Sequence, residues 1–211
     1  MDPCFTIQGS FIENLVGTAF TDDQLIGNEL KNQITSGDGG SWDPIFTGQI
    51  CAVEFLDGRE SADTYKGYAP GGQANGVDLI RDTGGSTNID KLVLTKLNLN
   101  EASFFQQAGT AGSDNIDSLI IVLPHNELIY LWTYFQGTST DACANASGTG
   151  LIEKISFADA SNVDFAQVKD LLGCSTAGSV QGTTQEWPQL QSFTPPESSN
   201  GTNTVTTNSQ R

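Results

Sequence analysis

The chain has 211 residues, 37% of them hydrophobic, and sets 25 acidic against 9 basic side chains for a formal charge of -16. Charge of that sign repels phosphate backbones and anionic lipid heads, which sets nucleic acid aside as a partner. No window approaches the roughly 18 apolar residues of a membrane span, so membrane insertion is set aside too.

The 23 glycines and the Ser/Thr/Asn/Asp-rich intervals between short apolar runs predict a mostly β protein. The opening MDPCFTIQGS lacks the basic and apolar regions of a cleavable signal; export, if it happens, is expected by another route, and a fragment of a larger protein would show the same opening. From Ile7 a step of nine lands on Val16, Leu25 and Ile34. Asn14, Asp23 and Asn32 stand two places before the last three, and Thr18, Gly27 and Ser36 two places after. A unit this short suits a brief strand and a tight turn, with one inward apolar side chain. Two units then complete one turn of a coil. The aliphatic residues are expected to stack in one column and the turn side chains in ladders outside.

The stretch IENLVGTAFTDDQLIGNELKNQITSGDGG resembles the nonapeptide repeats, G-G-x-G-x-D-x-U-x, of RTX (haemolysin-type) calcium-binding proteins. That resemblance implies a short parallel β-roll with calcium held between turns by aspartate carboxylates and glycine carbonyls. TAFTDDQL has neither paired glycine, and GNELKNQI has one, with Asn32 where the carboxylate belongs. These units resemble degenerate repeats that keep the roll's shape and lose ligands. SGDGGSWD, with Asp38, Gly39 and Asp43, keeps a calcium-loop composition.

Residues 62–94, ADTYKGYAPGGQANGVDLIRDTGGSTNIDKLVL, are similar to the segment that closes RTX repeats, matching at Asp63, Asp78, Ile80, Asp82, Gly84, Gly85, Asp90 and Leu92. The resemblance implies further calcium ligands at Asp78, Asp82, Gly84 and Asp90. Three extra residues between Gly85 and Asp90 are expected to pull Asp82 away from Asp90. The alternative is a plain turn begun by Asp82, with Gly84 and Gly85 supplying its positive backbone angles.

DSLIIVLPHNELIYLWTYF, residues 117–135, predicts a β-hairpin around PHNE. Within it Tyr130, Trp132 and Tyr134 alternate and so should share a strand face, either buried in a capping sheet or exposed as a carbohydrate or partner face. LIEKISFADASNVDFAQVKDLL, residues 151–172, predicts a strand to Phe157, a turn at ADAS and a short helix from about Val163 with Asn162 as cap. Both segments resemble the capping domain at the carboxy end of RTX arrays, with Ala160 in place of its usual glycine. The expected division is 1–45 as degenerate repeats, 46–175 as capping β domain, and 176–211 as a Ser/Thr-rich tail or linker. An ordered tail would be held by a neighbouring subunit along a sheet edge.

Cys4, Cys51, Cys143 and Cys174 form no CxxC pair, and His125 is the single histidine, so a zinc site lacks its ligands. Cys143 with Cys174 is the favoured disulfide among three possible pairings. His125 falls in a loop with no nucleophile motif, GYAPGGQANG lacks the lysine of a phosphate loop, and neighbouring acids such as Asp22 with Asp23 or Asp57 with Glu60 are ordinary at this charge. No enzyme activity is expected. The reading is an extracellular or cell- or virion-surface module that binds Ca2+, acts in structure or adhesion, and forms a homo-oligomer or larger assembly. The alternative is a carbohydrate-binding accessory module of a polysaccharide-modifying enzyme.

Overall fold

A computed structural model of the chain describes residues 5–9, 13–17, 24–36, 41–42, 50–52, 54–67, 76–82, 88–106, 118–136, 146–174 and 203–207. It is mostly β. The strands are β1 (Phe5–Gly9), β2 (Asn14–Val16), β3 (Gln24–Ile26), β4 (Gln33–Thr35), β5 (Ser41–Trp42), β6 (Ile50–Ala52), β7 (Glu54–Asp57), β8 (Thr64–Lys66), β9 (Val77–Arg81), β10 (Lys91–Leu94), β11 (Ser103–Gln106), β12 (Leu119–Val122), β13 (Leu128–Leu131), β14 (Phe135–Gln136), β15 (Ala146–Ser147), β16 (Lys154–Phe157), β17 (Asn162–Val163) and β18 (Asn203–Thr207). One short helix, α1 (Phe165–Leu171), is present among the described residues.

Two mixed sheets carry the fold. The long sheet has eight strands in the order β1-β18-β3-β7-β9-β13-β12-β11, and the short sheet six in the order β17-β16-β10-β8-β4-β2. The chain passes back and forth between them: β2, β4, β8, β10 and β16 pair in parallel in the short sheet. The alternating β3, β7, β9 and β13 pair in parallel in the long one. Antiparallel strands finish both, namely β12 and β11 on the long sheet and β17 on the short one. The pairings of β3 with β7 and of β4 with β8 run across residue 45, so both sheets continue through the division expected there.

Two columns of apolar side chains meet between the sheets. On the short sheet Leu15, Ile34, Tyr65, Leu92 and Ile155 occupy consecutive register positions, each at most 3% exposed. On the long sheet Leu25, Leu56, Ile80, Leu131 and Leu119 do the same. All ten belong to one continuous core. At roughly 1.5–3 kcal/mol for each fully buried aliphatic side chain, these columns are a main source of the fold's stability.

The expected single column of Val16, Leu25 and Ile34 is not what forms. Val16 is 66% exposed and its neighbour Leu15 is the buried residue. A shift of one residue in a strand reverses which side chains face inward. Ten residues, not nine, separate Leu15 from Leu25, so the beat fails at that step. Leu25 and Ile34 do face the core, from opposite sheets.

The hairpin around PHNE forms as β12 and β13, closed by a bond from the Leu123 N–H to the Glu127 carbonyl. The terminal helix also forms. Its cap, however, is Asp164, whose carboxylate accepts the Gln167 N–H at 2.9 Å while Gln167 returns a bond to the Asp164 N–H. Asn162, the expected cap, lies in β17. The tail places β18 in the long sheet of its own chain, between β1 and β3. Cys174 is disulfide-bonded, and Cys143, its expected partner, lies outside the described residues.

Candidate metal centre

Each parallel strand of the short sheet is preceded by a polar residue: Glu13, Asn32, Asp63, Asp90 and Glu153 stand just before β2, β4, β8, β10 and β16. Parallel pairing stacks these positions. The backbone continues the ladder through them, with the N–H of Gln33, Thr64, Lys91 and Lys154 bonding the carbonyls of Glu13, Asn32, Asp63 and Asp90. The side chains add a second ladder. The Asn32 N–H donates to Asp63 Oδ1 at 2.6 Å, the Asp63 N–H to Asp90 Oδ1 at 2.7 Å, and the Asp90 N–H to Glu153 Oε2 at 2.7 Å. Each acid therefore satisfies the backbone of the preceding rung, and a charged acceptor makes these bonds stronger than neutral ones.

Asp82 joins this ladder from the other sheet, where it follows β9. Its Oδ2 accepts the Tyr65 hydroxyl at 2.7 Å, and that hydroxyl accepts the Gly58 N–H at 2.7 Å. One carboxylate oxygen each from Asp63, Asp82 and Asp90 lies within 4.8 Å of the other two, and all three residues are buried. Asp63 is fully buried, and its Oδ2 has no hydrogen-bond partner. Gly58 makes room for that atom: a Cβ there would collide with both Asp63 Oδ2 and the Tyr65 hydroxyl.

Burial governs the protonation of the cluster. Desolvation pushes the Asp63 carboxyl up to about 7, helped by the nearby negative charge of Asp90 and opposed by the bonds from Asn32. Desolvation likewise pushes Asp90 up to about 6, with the charge of Glu153 adding to it. Tyr65 is raised well above its ordinary value, first by burial and then by Asp82. Three carboxylates crowded out of water are costly as anions unless a cation joins them. Calcium takes hard oxygen ligands at about 2.3–2.6 Å, so oxygens up to roughly 5 Å apart can share one ion. The cluster fits that requirement in donor type and spacing.

Of the residues expected to hold metal, Asp82 and Asp90 come together despite the three extra residues between Gly85 and Asp90. Asp78 is buried elsewhere, near the start of β9 beside Gly67 and Ile129. Four residues of extended chain, about 13 Å, separate it from Asp82. Asp38, Gly39, Asp43 and Gly84 lie outside the described residues. Asp63 completes the cluster but was not expected among the ligands. Its signal is the triplet of a polar residue, a spacer and an inward residue that opens each strand: ENL, NQI, DTY, DKL and EKI.

Of the two readings of the alternating aromatics, burial is the one that forms, but the three do not share one face. Tyr130 and Trp132 are buried in a second apolar cluster with Ile26, Phe55 and Leu79, on the outer side of the long sheet. Tyr134 is buried in the core between the sheets, against Phe135 and Phe165. The strand ends at Leu131, and Thr133 takes a φ of 54°, which breaks the alternation that would have put all three on one side. His125 is exposed in the hairpin loop, and Asp57 is buried against the Arg81 guanidinium. Compared with known proteins, the chain matches no family model, no curated sequence and no solved structure.

Proposed function

We propose that this chain is an extracellular, calcium-binding structural or adhesion module of the β-roll type, resembling RTX repeats in design, and a subunit of a surface assembly. The single observation that carries the reading is the buried Asp63, Asp82 and Asp90 cluster with an unpartnered Asp63 oxygen. Such an atom costs about 1–3 kcal/mol when left bare, and a cation there removes the cost. An ion shared by Asp63, Asp90 and Asp82 would tie two successive rungs of the short sheet to the end of a long-sheet strand, coupling binding to folding. The parallel alternation of strands between two sheets supports the roll. The disulfide at Cys174 suits an oxidising compartment.

Calcium titration of the chelator-treated protein, read by calorimetry and by thermal unfolding, tests the reading. Saturable binding with a rise in Tm, lost in Asp63→Asn and Asp90→Asn, is expected. Unfolding that is indifferent to calcium and chelator would remove the cation from the proposal. A carbohydrate-binding role would need an exposed aromatic platform, and Tyr130, Trp132 and Tyr134 are buried.

A further inference from the structure

β1 and β3 run in the same direction in the long sheet, as strands of successive turns do, yet they do not pair with each other. β18 lies between them, antiparallel to both. Its five residues, Asn203 to Thr207, register with Gly9 to Phe5 on one side, and Thr204, Val205 and Thr206 register with Ile26, Leu25 and Gln24 on the other. The slot is thus bounded by two strands from the first 26 residues and filled by a segment far along the chain. A strand flanked on both sides has its N–H and C=O groups committed to one neighbour or the other, so the slot is specified by backbone hydrogen bonds and accepts one short antiparallel strand.

The segment between Cys174 and β18 is rich in Ser, Thr, Gly, Gln and Pro. A chain of 28 residues lies between them, and that number can span at most roughly 90–100 Å, so covalent connection does not confine the strand to its own slot. It can deliver the strand to its own slot or to that of an adjacent molecule with the same ladder of bonds.

We propose that the slot between β1 and β3 is a strand-acceptor site, and that its occupant in the assembled protein is residues 203–207 of a second copy of this chain. Two copies that exchange strands reciprocally close a dimer, and a copy that donates to a third instead propagates the contact head to tail into a ring or a filament. In an isolated molecule the strand is covalently tethered to its own slot, which makes its docking there intramolecular and favours it over exchange at low concentration. Exchange therefore needs molecules crowded at a surface. This inference names the contact for the assembly reading above and rests on that reading, but not on its calcium.

The test uses the full chain. Val205→Pro removes an N–H from the donor strand, and proline is not tolerated between two strand neighbours. A peptide of residues 200–210 should bind the Val205→Pro chain, with its emptied slot, roughly tenfold or more tighter than it binds the wild type, whose slot is filled. Sedimentation of the wild type should show multi-copy species as concentration rises, and Val205→Pro should not. A second variant with residues 203–207 replaced by a Gly-Ser segment of equal length guards against misfolding in the first. Equal association of wild type and both variants overturns the inference and leaves assembly standing. A single-copy wild type at every concentration overturns both, and failure of the peptide to bind either variant overturns the acceptor slot.

Discussion

The short sheet buries one face and the long sheet buries two, and their strands are written accordingly. QIT, TYK and KISF in the short sheet alternate, with Ile34, Tyr65, Ile155 and Phe157 inside and partly exposed residues between them. EFLD and LIYL in the long sheet are buried at every position. Its inner residues join the core shared with the short sheet, and its outer ones, among them Phe55, Leu79 and Tyr130, form a separate apolar cluster. The lesson is that a strand's pattern reports how many of its faces are covered, as parallel sheets buried on both sides lose their alternation.

Matched outward substitutions break or confirm this comparison most sharply. Leu79→Ala on the long sheet should cost about 2–5 kcal/mol, as a buried leucine does. Val16→Thr on the outer face of the short sheet should change stability by no more than about 0.5 kcal/mol. Denaturant midpoints compare the two, and a mild Leu79→Ala would mean that the outer face of the long sheet is not packed.

The next effect belongs to the carboxylates between the sheets. Folded Asp63 and Asp90 hold protons that the unfolded chain releases above pH 3.8, with folded values of about 7 and about 6. The folded state therefore binds more protons in that window. In chelator, stability should be greatest below about pH 4 and fall as pH rises, by up to about 1.4 kcal/mol per pH unit for each proton, until pH 7 is passed. Asp63→Asn should flatten its share of the slope, and calcium should oppose the fall because the ion takes the proton's place. Urea midpoints between pH 4.5 and 8, with and without calcium, check this; an identical slope in wild type and Asp63→Asn would contradict it.

Gly58→Ala sharpens the same region. It forces Asp63 and Tyr65 apart and should cost about 1–3 kcal/mol by overpacking, together with calcium affinity. Thermal unfolding and calorimetry read both losses, and a neutral substitution would show that Gly58 does not shape the site. A smaller gain lies at the short sheet's end, where Ala160 has a φ of 62°. Ala160→Gly should stabilise by about 0.5–1 kcal/mol, measured as a higher Tm, because glycine adopts that angle without strain. An unchanged or lower Tm would place the strain elsewhere.

Only part of the short sheet was legible in the sequence. Asn32 two places before the inward Ile34 was read from the spacing, whereas Asp63 before Tyr65 and Asp90 before Leu92 repeat that spacing at intervals the nine-residue beat does not reach. The nine-residue beat failed at Val16 because one residue more separates Leu15 from Leu25, and pattern counting cannot tell which of two adjacent aliphatic residues turns inward. Asp78 and Asp82 looked equivalent as aspartates around one strand; the strand's length puts them at opposite ends. Tyr134 left the face of Tyr130 because the backbone turns at Thr133, where no glycine or proline announces a turn.

Composition and local spacing alone determined that this chain is mostly β, with short strands and polar turns, since propensity and alternation act within a few residues. Which acids meet, which aromatics are covered and where residues 203–207 come to rest were decided only by tertiary structure. Those are contacts between segments far apart in sequence, and the free energy that selects them arises when the sheets close on one another.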